Sequence, residues 1–219
     1  MAARRAWVAV SVLVFAAEAS ATPIIQVNGP VDFSAVAASP NQFGTYTYLV
    51  ASWNQAVGFS GASISFPGSS GGTTVATGTA YLTTSVGLGT TVADEIAHTR
   101  FSVLQGPSSR ITLFSGLTLP ASSYYVTIFA DPGNQISWDA TNSPVTTLGP
   151  GVSLNFPVAV GENNVANGFD PYPPATQYIF GIQNNLLIDV NVPEPGSLSL
   201  LVLGGVAGLI LRGHHFRQL

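Results

Sequence analysis

Lysine and cysteine do not occur in this 219-residue chain, and charge of either sign makes up only 7% of it. Soluble domains ordinarily carry roughly 25% charged residues. The missing cysteines exclude disulfide staples, thiolate zinc sites and thiol nucleophiles together. Six basic residues, all arginine, cannot build a basic stripe, which excludes nucleic acid as a partner. Helical periodicity is missing as well: no stretch keeps a 3.6-residue apolar repeat over about ten residues. Apolar residues, by contrast, are plentiful at 46%, with 12 phenylalanines, 7 tyrosines and 3 tryptophans. That is ample material for a core, so the chain is not disordered in the charge-rich sense. Its length accommodates one substantial domain with short appendages.

Both ends read as addresses. Residues 1–21 have the layout of a secretory signal peptide. Arg4 and Arg5 form the basic start, 7–17 is a short apolar run, and Ala19-Ser20-Ala21 is a small-x-small cleavage site marked by Ala19 and Ala21. At the other end, Pro193-Glu194-Pro195-Gly196-Ser197 precedes the uncharged run 198–211, and Arg212 and Arg217 follow. A helix over that run would be about 21 Å long. The hydrocarbon core is about 30 Å thick, so this predicts a short membrane helix that thins the bilayer or uses snorkelling arginines. Arg212 and Arg217 would hold the C-terminus on the cytoplasmic side. Two prolines remove two amide donors and keep 193–195 extended, where an enzyme at the membrane surface can reach it.

The order Val192-Pro193-Glu194-Pro195-Gly196-Ser197-Leu198, apolar run, basic end resembles the PEP-CTERM sorting signal of Gram-negative bacteria. The resemblance covers 193–219 alone. It implies that an exosortase, a membrane-embedded thiol enzyme, processes the chain at or near Pro193, Glu194 and Pro195, with Arg212 and Arg217 as the basic tail. It also implies transient residence in the inner membrane, then delivery to the cell surface or to an exopolysaccharide matrix. One departure is visible: the family ends in a tight basic cluster, whereas here Gly213, His214, His215 and Phe216 separate the two arginines.

Residues 22–192 are expected to form one exported domain. It holds only Arg100 and Arg110 against eight carboxylates, and its surface is drawn from 19 threonines and 18 serines together with asparagine, glutamine and glycine. Period-2 alternation dominates. Ala62, Ile64 and Phe66 alternate with serines, Tyr124, Val126 and Ile128 with Tyr125, Thr127 and Phe129, and Ile188, Val190 and Val192 with Asp189 and Asn191. Further strands are predicted over 45–53, 75–86, 99–104, 111–117, 135–138, 152–160 and 178–182. Turns are predicted at Pro67-Gly68, 87–89, 105–107, 132–134, 149–151 and Asn184-Asn185. Residues 91–98 would make one or two helical turns. The class expected is all-β: an antiparallel β-sandwich, jelly-roll-like, flanked by the signal helix and the transmembrane helix. A closed barrel is the alternative.

Chemistry-bearing patterns are thin. His98, four residues after Asp94, would share a helical face with it, but no second histidine completes a metal site. Gly68-Ser69-Ser70-Gly71-Gly72 matches G-x-S-x-G without the strand-to-helix context that a nucleophile elbow needs. Asp131 and Asp170 sit in turn-forming contexts, and Asp139 follows Trp138 at what reads as a strand end, with Trp138 in the core and Asp139 outside. The oxygen-rich stretch 161–172 offers groups that calcium favours, without an EF-hand spacing. Trp53, Trp138 and Tyr172 would form a sugar platform if exposed. No catalytic residue, metal or cofactor is implied. The reading is an exported, non-enzymatic surface or matrix protein with an exopolysaccharide or other glycan as partner. Its rivals are a carbohydrate-binding module or glycan-active enzyme carried by the same tail, and a permanently anchored inner-membrane protein.

Overall fold

The computed structural model describes residues 21–38, 45–86, 90–164, 177–179 and 185–193. Ala21–Val192 forms one compact unit. The expected signal helix, apart from Ala21, and the expected membrane helix lie outside the described residues. No described helix is long and apolar enough to cross a membrane.

The chain is all-β. In order the strands are β1 (Ala21–Asn28), β2 (Phe33–Ala38), β3 (Thr45–Gln55), β4 (Phe59–Ser70), β5 (Val75–Thr83), β6 (Glu95–Leu104) and β7 (Ser109–Leu119). Then come β8 (Ser122–Ala130), β9 (Gln135–Thr141), β10 (Val145–Leu148), β11 (Val152–Asn164), β12 (Gln177–Ile179), β13 (Asn185–Leu186) and β14 (Asp189–Pro193). They join into a single hydrogen-bonded network along the path β10-β1-β14-β4-β9-β2-β3-β8-β5-β6. β7 is added on β4, β11 on β3, β12 on β11 and β13 on β9. The ladders that position the last strand, β14 on β4 and β4 on β7 and β9, are antiparallel.

The alternation seen in the sequence becomes the core. Ala62, Ile64 and Phe66 of β4, Leu49 and Trp53 of β3, Tyr124, Val126 and Ile128 of β8, and Ile136 and Trp138 of β9 share one buried cluster. Each large side chain in it contributes about 1.5–3 kcal/mol by leaving water. Trp53 stacks on Tyr124 with ring centroids 5.3 Å apart, and Phe66 lies 4.9 Å from Trp138. The middle strands are apolar on their other face too, where Tyr48, Val50, Tyr81 and Phe129 form a second cluster.

Two local expectations are corrected. Pro67-Gly68 is not a turn but lies inside β4, and the chain turns over 71–74 instead. One edge of β4 pairs with β14 along Ser63–Ser65 and with β9 from Gly68 onward. Pro67 falls at that changeover, where its missing N–H costs little. Gly68 admits the close approach of β9, since a Cβ there would stand 2.9 Å from the Ser137 carbonyl. Residues 91–98 hold one 3-10 turn, Val92–Asp94, before β6 starts at Glu95. Pairing of β6 with β5 as far as Glu95 prevents a longer helix.

Tyr124 gives the core a pH dependence. Its ring is fully buried, its hydroxyl donates to the Pro120 carbonyl at 2.5 Å, and burial pushes its pKa above the ordinary value of 10.0. The phenolate is therefore disfavoured in the fold. The associated stability is intact below pH 10 and is lost as pH rises through the folded-state value. Tyr124→Phe is expected to cost about 1 kcal/mol at pH 7 and to lessen the loss above pH 10. Urea midpoints between pH 7 and pH 11.5 would show both effects.

Candidate functional site at the end of the last strand

Of the residues expected to carry sorting, Ala21 is the exposed first residue of β1 and Pro193 the exposed last residue of β14. Ala19, Glu194, Pro195, Arg212 and Arg217 lie outside the described residues. β14 pairs with β4 through Asp189↔Ser65, Val190↔Ile64 and Asn191↔Ser63. On its other side is β1, whose Val27 N–H donates to the Ile188 carbonyl at 2.9 Å. Leu186, Leu187, Ile188, Asp189 and Val190 are all buried.

Asp189 is the unusual member of that run. Its side chain is 8% exposed, and one carboxylate oxygen, Oδ2, forms an ion pair with Arg110 Nη1. Arg110 stands opposite Pro67 on β7, and Asp189 stands opposite Ser65 on β14. The pair therefore reaches across β4 and ties both of its neighbours together. Burial lowers the Arg110 pKa from its ordinary value, yet a guanidinium stays charged in proteins. Asp189 Oδ1 is buried with no hydrogen-bond partner among the described residues.

A second carboxylate, on β9, is buried as well. Asp139 is on the face of β9 opposite Trp138, as expected, but it is only 3% exposed instead of lying outside. The reason is local: Ser34 Oγ (3.0 Å) and Ser108 Oγ (2.8 Å) both donate to Asp139 Oδ1 and cover it. Trp138 is fully buried and donates from Nε1 to the Leu187 carbonyl at 2.8 Å. Trp53 is buried too and donates to Gln55 Oε1 at 3.0 Å. Neither indole can offer a face to a sugar, and Tyr172 lies outside the described residues.

The remaining candidates separate. His98 Nδ1 is 2.6 Å from Glu95 Oε1, not from Asp94. An irregularity between Leu82 and Thr83 in the β5–β6 register brings these two residues of one strand together. Asp94 instead turns back to accept from the Thr91 N–H at 2.8 Å. Asp131 heads its predicted turn, where Asn134 N–H donates to its carbonyl at 2.9 Å and Gly133 has φ +79°. Its Oδ2 accepts from Thr77 Oγ1 and Arg100 Nη2, each at 2.5 Å. Both arginines of the body are thus in ion pairs. Of the calcium-type stretch, Gly161, Glu162, Asn163 and Asn164 belong to β11, paired with β3, and 165–172 lie outside the described residues. Among the described residues no three histidine, aspartate or glutamate side chains are grouped to hold a metal.

Sequence reasoning missed the ion pair across β4. Its signal was Asp189 within Leu186-Leu187-Ile188-Asp189-Val190: a carboxylate in an apolar strand must be paired or neutralised. Compared with protein families, curated proteins and solved structures, the chain matches none.

Proposed function

We propose that this is an exported, non-enzymatic surface or extracellular-matrix protein, delivered by a PEP-CTERM-type tail. The observation that carries the reading is the sequence order Pro193-Glu194-Pro195, apolar run 198–211, Arg212 and Arg217, following directly on a folded body. The body is an antiparallel β-sandwich of jelly-roll kind, a reading supported by apolar clusters on both faces of the middle strands. Its first segment is removed after Ala21, the tail holds the chain in the inner membrane, and an exosortase acts near the Pro-Glu-Pro site. Its partner is exopolysaccharide or another neutral glycan. With Arg100 and Arg110 both engaged by carboxylates, a matrix polymer is met by hydroxyl and amide groups and not by free cations.

Intact mass and fractionation of the protein from its own host test this. A species beginning near Thr22, ending between Val192 and Pro195, and found with the matrix is expected. A species that keeps 198–219 in the inner membrane would overturn it. Alanines at 193–195 are expected to convert the first outcome into the second.

A further inference from the structure

The strand that leads into the sorting motif is an interior strand of the sheet. β1 and β10 reach the other strands, among the described residues, through β14 alone. The run Leu186 to Val190 is buried, Asn191 and Val192 are half-buried, and Pro193 is exposed. A strand advances about 3.3 Å per residue, so Pro193 stands about 10 Å beyond the last fully buried side chain. The ion pair with Arg110 fastens β14 one residue before that last buried side chain, at Asp189.

We infer that β14 is a clasp. Its docking holds the first strand in the sheet and withholds the backbone from Leu186 to Asn191 from cleavage. A cleaving enzyme takes an extended, unpaired segment. Every amide from Leu186 to Asn191 lies in a strand, in a ladder or in the buried connection between β13 and β14. Cutting there requires opening the sheet, and the rate then follows the open population. The consequence for sorting rests on the function proposed above: once the body has folded, processing cannot trespass into 186–191, and the mature chain keeps that part of its core. Arg110 is a positioning residue in this device.

The test uses the full chain in detergent, treated briefly with a broad-specificity protease that hydrolyses peptide bonds with water, and read by intact mass. No cut of the wild-type chain is expected within 186–191. A wild-type product ending within 186–191 would overturn the clasp. Arg110→Met is expected to speed cutting within 186–191 by about a hundredfold, and Arg110→Lys to restore protection. Cuts in Arg110→Met that spread evenly through the body, or no acceleration at all, would refute a local device. Absence of processing in the host would refute the sorting function and leave this cleavage map as it stands.

Discussion

Trp138→Ala is expected to remove a large share of the body's stability, about 4–8 kcal/mol. The indole is fully buried against Phe66 and sits in the shared core. Truncating a buried aromatic to alanine costs about 3–5 kcal/mol. The same change removes the donor to the Leu187 carbonyl, which is worth about a further 1–3 kcal/mol if that group stays buried without a partner. Domains of this size are stable by about 5–15 kcal/mol in all. Leu187 lies in the connection that delivers β14, so the loss falls on the clasp as well as on the core. Far-UV circular dichroism in urea is the measurement, because the substitution removes a main fluorophore. A midpoint within about 0.5 M of wild type, against an ordinary slope of about 1–3 kcal/mol per molar, would contradict the packing described. One corollary concerns binding assays: reduced glycan binding by Trp138→Ala reports unfolding, not a lost sugar contact.

The second large effect is an asymmetry. Arg110→Met is expected to cost about 3 kcal/mol and Asp189→Asn clearly less. Removing the cation strands a buried carboxylate, the costly way to break such a pair. Removing the carboxylate's charge leaves Arg110, whose side chain is 43% exposed, free to turn toward water. The neutral amide at 189 also keeps a polar group facing Ser65. Urea midpoints of the two single variants and the double variant, combined as a cycle, decide it. Equal costs for the two single changes would mean that the pair is solvated and contributes as a surface ion pair does.

The sequence reading reached most of the long strands because their signal is local. β4, β8 and β9 alternate apolar and polar residues over enough length to declare two faces; one face entered the shared core, and in β8 and β9 much of the other face is buried as well. β1, β2, β10 and β13 were not legible. β1 contains Pro23 and an apolar doublet, Ile24-Ile25. β2 is mostly alanine and serine, β13 is two residues long, and all four residues of β10 are exposed. Such strands exist because a neighbour supplies the other half of the ladder, and no pattern within them records that neighbour. The same limit explains Pro67-Gly68, which is turn chemistry by itself but stands where one strand edge changes partners.

The sequence by itself determined the all-β class, through period-2 alternation without helical repeats, and it removed disulfide and thiolate chemistry through the missing cysteines. Alternation is written in consecutive residues, so it survives without knowledge of what packs where. Only the tertiary structure decided that Trp53 and Trp138 are core, that Asp139 and Asp189 are buried, and that Arg110 reaches across β4. It also decided that the strand entering Pro193 lies inside the sheet and not at its edge. Each of these depends on which distant segment lies alongside, and burial and charge pairing are properties of that juxtaposition.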